Sequence, residues 1–209
     1  MENELNEGRA VFYGVLSLLF IYKAASKKPE DPIKLLGAIE ESGFDDAACQ
    51  SAKKLRLALR EENGFDEFDD EFSQLFLLPF DGNVPMSASV YHDDLEAGKP
   101  LLKVKEILNI AALRKEQKNF SENEDNFGFL FALMTKLARE SAAGNNVAFI
   151  AMGDLYSAVI KPYAPLFAAR IKADKRSRLL KEAAILLERF MNAEDKFYGS
   201  LKKQSGFDD

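Results

Sequence analysis

One cysteine, one histidine and no tryptophan occur among the 209 residues. The lone Cys49 excludes an intramolecular disulfide, and its place in a predicted helix reads as a structural thiol. With His92 as the one imidazole and no Cys/His cluster, the ligand chemistry argues against a zinc site. Basic residues are also short. Lys and Arg number 28 against 34 Asp and Glu, a net charge of −6, and the sequence pI is near 5.1. A nucleic-acid binder would carry a basic stripe instead. The sequence has no GxxxxGK[ST] phosphate loop, GxGxxG, HExxH or GxSxG, and no Glu-x-x-His pair of the kind that holds two irons in a bundle. His92 has Asp93 and Asp94 beside it and Ser87 and Ser89 close in sequence, but neighbouring side chains diverge and do not form a working triad. The expectation is a protein that is not an enzyme and holds no cofactor or metal.

What is abundant is apolar surface at helical spacing. Hydrophobic residues make up 47% of the chain, enough for a sizeable core. No stretch alternates with period two for long enough to claim a strand. The expected fold is all-α, a compact bundle of about nine helices forming one domain over 1–209. The apolar run 11–22 resembles a secretory core, but acidic Glu2, Glu4 and Glu7 precede it with Arg9 alone against them. It is also shorter than the roughly 20 residues that span a bilayer. It is read as a central buried helix over 4–25, and the protein as cytoplasmic, without stable membrane insertion.

Further helices are predicted over 31–41, 45–62, 65–78, 97–118, 127–143, 147–160 and 174–201, with a short one from 163 to 172. Asn63-Gly64 reads as a C-terminal stop and Lys161-Pro162 as a break. Phe65, Phe68, Phe72, Leu75 and Phe76 recur at spacings of three and four on one helical face. The acids among them, Asp66, Glu67, Asp69, Asp70 and Glu71, read as a solvated face.

The stretch 71–92 departs from this pattern. It breaks at Pro79, turns through Asp81-Gly82-Asn83, and is predicted to run extended past Pro85 to Tyr91. Its loop, a possible hinge over 79–96, carries Leu77, Leu78, Phe80, Val84, Met86 and Val90, although loops are normally polar. A second loop, 119–126, is polar and acidic. An apolar loop beside an acidic one suits a partner segment that is both basic and apolar.

Four stretches together resemble the TorD/DmsD/NarJ family of chaperones for molybdoenzymes. Arg9-Ala10-Val11-Phe12-Tyr13 with Leu16-Ser17-Leu18-Leu19-Phe20 is similar to its N-terminal pattern. Phe72-Ser73-Gln74-Leu75-Phe76, Pro79, Pro85 and Ser89-Val90-Tyr91 match its most diagnostic stretch in order and spacing. Glu122-Asn123-Glu124-Asp125-Asn126-Phe127-Gly128 resembles its Glu-Pro-x-Asp-His pattern opening an apolar helix, with Asn for both Pro and His. Tyr163-Ala164-Pro165-Leu166-Phe167 is similar to a C-terminal motif.

The resemblance implies a chaperone that binds the twin-arginine signal peptide of an apo-molybdoenzyme and holds back its export until the cofactor is in place. Phe76, Leu77, Phe80, Pro85, Met86 and Tyr91 would form an apolar wall. Glu122, Glu124, Asp125 and Asn126 would form the polar one, although Glu122 and Asp125 read equally as caps of the helix that follows. Asn126 hydrogen-bonds but does not titrate as histidine does. The oligomer would be a monomer or a homodimer. A guanine-nucleotide-dependent assembly factor and a helical adaptor for another partner remain as alternatives, and the client enzyme stays open.

Overall fold

A computed structural model describes residues 2–78, 82–94, 97–116 and 120–204. Among these the chain is all-helical, with α1 (Glu2–Phe20), α2 (Ala24–Lys27), α3 (Glu30–Glu41), α4 (Asp46–Leu59), α5 (Gly64–Phe72), α6 (Ala88–Asp93), α7 (Lys99–Ile110), α8 (Phe127–Ala142), α9 (Asn146–Leu155), α10 (Lys161–Ala173) and α11 (Leu179–Gln204). No helix of the described residues is long and apolar enough to cross a membrane. The extended backbone is limited to short connections and one antiparallel bridge, Ser87 to Asn126.

The central helix is α1, as its girth of apolar residues requires. Tyr13, Val15, Leu16, Leu19 and Phe20 are all buried, and the helix packs on α8, α3 and α11. Arg9 is buried too, in a network that ties the first helix to the last. Its Nε and Nη2 donate to the two carboxylate oxygens of Glu194, each at 2.7 Å. The Tyr13 hydroxyl donates to Glu194 Oε2 at 2.7 Å, and the Arg9 guanidinium stacks over the Phe197 and Tyr198 rings. A buried guanidinium is tolerated when its fork meets a carboxylate in this bidentate way.

The acidic run 66–71 is not a uniformly solvated face. Asp66, Glu67 and Asp70 are exposed, but Asp69 and Glu71 are buried. Asp69 accepts a hydrogen bond from Ser26 Oγ at 2.7 Å. The Glu71 carboxylate accepts from the backbone N–H groups of Arg178, Leu179 and Leu180 at 2.7–2.9 Å. These are orphan donors at the start of α11, so Glu71 caps a helix more than a hundred residues away.

Several boundaries differ from expectation. The first helix stops at Phe20, where α8 crosses it. Gly128 lies so close that an added Cβ would stand 2.3 Å from the Phe20 carbonyl oxygen. Gly64 opens α5 and does not close α4, which ends at Leu59; a Cβ at Gly64 would meet the Ala58 carbonyl oxygen at 2.1 Å. Helix α7 ends at Ile110 because Ala112 adopts a left-handed φ of 53°. The N–H groups of Ala112 and Leu113 then close on the carbonyls of Asn109 and Leu108, a Schellman turn with Ala where Gly is usual. Lys161-Pro162 does not break the chain's course. A π-helical turn, Tyr156–Ile160, joins α9 to α10, with Lys161 N–H donating to the Tyr156 carbonyl. The wider turn accommodates a proline that cannot donate to the preceding turn.

The expected extended run to Tyr91 stops short, since residues 88–93 form helix α6. Its first turn is capped by Asp125, from 36 positions further along the chain.

Candidate functional site

A cleft of about 670 Å³ opens where three of the motif stretches meet. The end of α1 contributes Phe20, Ile21 and Tyr22. The end of α5 and the π-helical turn Ser73–Leu77 contribute Phe72, Phe76 and Leu77. The segment 83–87 and Val90 line the opposite part, and Phe120 to Asn123 with Asn126 complete it. Most of this lining is apolar. Glu122 is its one charged residue among the described residues.

The geometry follows from how the segment 82–87 is fastened. At one end, the π turn leaves carbonyls without helical donors, and the returning chain supplies them. Val84 N–H donates to the Leu75 carbonyl at 3.0 Å, and Asn83 Nδ2 donates to the Phe76 carbonyl at 3.3 Å. At the other end, Phe127 N–H donates to the Met86 carbonyl and Ala88 N–H to the Asp125 carbonyl, both at 2.9 Å. The Asp125 carboxylate takes a hydrogen bond from Ser87 Oγ at 2.6 Å and from Ser89 N–H at 3.0 Å. Asn126 turns to α8 and caps it, accepting from Gly128 N–H at 2.9 Å.

Behind the cleft lies an aromatic cluster that draws on all four motif stretches. Phe167 stacks on Phe127 at 4.4 Å between ring centres and meets Phe20 and Tyr91 edge-on. Phe76 packs edge-on against Phe72 at 4.7 Å. Such pairs add to burial and fix ring orientation.

Of the residues expected at the site, Phe76, Leu77, Pro85, Met86, Glu122 and Asn126 line the cleft. Phe76 is buried among the aromatics, while Leu77 is 47% exposed. Tyr91 stands behind the lining. Its hydroxyl donates to the Pro85 carbonyl at 2.9 Å, the Arg170 guanidinium lies over its ring, and burial pushes its phenol pKa upward. Glu124 points to a separate depression, where it faces Lys115 Nζ at 3.7 Å. Asp125 is fully buried and acts from behind the 83–87 segment. Phe80, with Pro79, lies outside the described residues.

Residues not anticipated are Ile21, Tyr22, Asn83 and Phe120. A first helix continuing to residue 25 would have kept both within the helix, with Tyr22 on the apolar face of Val15 and Leu18. The stop at Phe20 turns them to the cleft, with Tyr22 41% exposed. The close approach of Gly128 that accompanies the stop has no local sequence signal. His92 meets the Tyr163 hydroxyl at 2.8 Å through Nδ1, joining α6 to α10. No group of three or more metal-ligating residues gathers among the described residues.

An all-helical bundle whose motif residues converge on one apolar cleft fits the class of redox-enzyme maturation chaperones. Within that class, the family model described as nitrate reductase delta subunit matches residues 41–169. The chain belongs to that family, a family of molybdoenzyme assembly chaperones. The matched region takes in the cleft segment and the Tyr163–Phe167 motif, and leaves out Arg9 and the last helix. No curated protein and no solved structure matches the chain.

Proposed function

We propose that the protein is a cytoplasmic chaperone whose cleft receives the twin-arginine signal peptide of an apo-molybdoenzyme catalytic subunit, of the nitrate reductase type, and holds back export until the cofactor is inserted. One observation carries this reading. The cleft is mostly apolar, and the one charge among its described lining residues is the Glu122 carboxylate. A ligand with paired arginines followed by an apolar run matches both features. Apolar anchors set against Phe76, Leu77 and Met86 contribute about 1.5–3 kcal/mol each on full burial. A guanidinium pairs with Glu122 through its planar fork. Asn83 Oδ1 is buried at the cleft without a partner among the described residues and offers an acceptor to a ligand N–H. The net charge of −6 favours encounter with a basic segment. A guanine nucleotide fits less well, because its phosphates would face a carboxylate and no Lys or Arg among the described lining residues.

Titration calorimetry with a synthetic twin-arginine peptide tests the reading, with a twin-alanine peptide as control. Wild type binds the first and not the second. Leu77→Asp and Glu122→Lys each lower affinity about tenfold or more, ~1.4 kcal/mol, with the melting temperature little changed. Equal binding of both peptides, or equal affinity in wild type and variants, rejects the cleft as the receptor and leaves an adaptor for another partner.

A further inference from the structure

We propose that Arg176 is a positioning residue for the cleft, holding the segment 82–87 against the π-helical turn and so setting how tightly a bound peptide is retained. The second half of this inference rests on the function proposed above.

Arg176 lies between α10 and α11, and Asp174 presets its direction. The Asp174 carboxylate accepts from Arg176 Nε at 3.0 Å, from Nη2 at 2.6 Å and from the Arg176 backbone N–H at 2.9 Å. The guanidinium beside Asp174 holds that carboxyl below the usual range. A guanidinium gripped in this way presents its other N–H groups in a fixed plane. Nη1 donates to the Gln74 carbonyl at 2.9 Å, and Nη2 donates to the Gly82 carbonyl at 3.1 Å. Gln74 belongs to the π turn and Gly82 opens the cleft segment, so one side chain spans both.

The π turn shows why such a bridge is needed. Four consecutive carbonyls at the end of this helix need donors from outside the ordinary helical ladder. Ser73 takes Leu78 N–H, Leu75 takes Val84 N–H, Phe76 takes Asn83 Nδ2, and Gln74 takes Arg176. Two of the four bonds are made by the cleft segment itself. Their alignment depends on where Gly82 sits, and Arg176 fixes that position. The Arg176 side chain is 27% exposed, so the bridge is partly shielded from water and stronger than a surface contact.

The test compares wild type with R176A, R176K and the control R178A. Arg178 is the neighbouring cation, and its side chain pairs with Glu67 on the surface. Two readouts are taken: hydrogen exchange at the Val84 amide, and the dissociation rate of a twin-arginine peptide. In R176A, exchange at Val84 and peptide dissociation both rise about tenfold, the equivalent of one charge-assisted hydrogen bond. R176K falls between, because an ammonium keeps the charge but lacks the planar fork that Asp174 orients toward both carbonyls. R178A matches wild type in both. If Val84 exchange is unchanged in R176A, or in R176K should R176A fail to fold, the positioning role is overturned. If exchange rises and peptide dissociation does not, control of retention by the segment is overturned. A wild type that binds no twin-arginine peptide removes the peptide reading, and with it the retention half, while the exchange result still decides the positioning role.

Discussion

The Asp125 carboxylate holds Ser87 and Ser89 at once, accepting from the Ser87 hydroxyl at 2.6 Å and the Ser89 backbone N–H at 3.0 Å. The Ser-Val-Tyr stretch and the acidic stretch thus form one structural unit, with the first supplying helix α6 and the second its cap. Asp125→Ala is expected to destabilise the fold by about 1–3 kcal/mol, since two buried donors lose their acceptor. Urea unfolding measures it. Peptide affinity falls as a secondary effect, through the loosened 83–87 segment, so Ser87→Ala should weaken binding in the same direction and by less. An Asp125→Ala protein as stable as wild type would show that the cap contributes nothing.

Arg9 and Glu194 carry the second prediction. Both side chains are 3% exposed and meet in a bidentate pair. Removing one partner leaves a buried charge uncompensated, so Arg9→Ala or Glu194→Ala should each cost about 3–5 kcal/mol. An Arg9→Met, Glu194→Leu double substitution should cost less than either single change, because no charge is then stranded. Thermal unfolding of the three variants separates the outcomes, and a strictly additive double mutant would refute the pairing argument.

The sequence revealed the parts of this molecule that depend on period. Phe68, Phe72, Leu75 and Phe76 fall on one buried face because spacings of three and four dictate it. Asp45, read as the start of a helix, caps α4 by accepting from Ala48 N–H. Leu77 and Met86 stood out because apolar side chains in a loop are anomalous, whereas Phe76 and Pro85 were indicated by the family resemblance; all four line the cleft. What stayed hidden depends on contacts far apart in sequence. Helix α6 exists through Asp125, and the start of α11 is capped by Glu71. The early end of α7 at Ala112 was hidden for another reason, since it uses a residue type that carries no stop signal. Leu57 of α4 and Leu102 and Ile110 of α7 are apolar and yet stand 48%, 68% and 53% exposed, because apolar residues are common on surfaces as well as in cores.

Asp45 supplies a pH dependence. Hydrogen bonds from Arg189 and from the Ala48 backbone lower its carboxyl from 3.8 to about 2. A depressed folded-state pKa means that its stabilisation is fully present above pH 3.8 and fades as pH falls through about 2. At neutral pH, Asp45→Ala loses the cap and the link to α11, an expected cost of about 1–2 kcal/mol. Below pH 2 the wild type has lost the same charge, and the two proteins should converge. Denaturant unfolding at a series of pH values checks this; a gap that widened in acid would contradict the assigned sign.

Two glycines offer the sharpest test of how the cleft is built. At Gly128, an added Cβ would stand 2.3 Å from the Phe20 carbonyl oxygen and 2.7 Å from the Ile21 side chain. That carbonyl is backbone and cannot swing aside, so α1 and α8 must separate where Phe20, Ile21 and Asn126 line the cleft. Gly128→Ala should therefore cost about 3 kcal/mol or somewhat more. It should also weaken peptide binding, because the lining on both helices moves. Gly8, on the exposed side of α1, has nothing within 4 Å of its would-be Cβ. Gly8→Ala should raise stability by about 0.5–1 kcal/mol through helix propensity alone and leave peptide binding untouched. Melting temperatures of the two alanine variants should move in opposite directions, and a neutral Gly128→Ala would mean that the α1–α8 crossing is looser than the 2.3 Å approach requires.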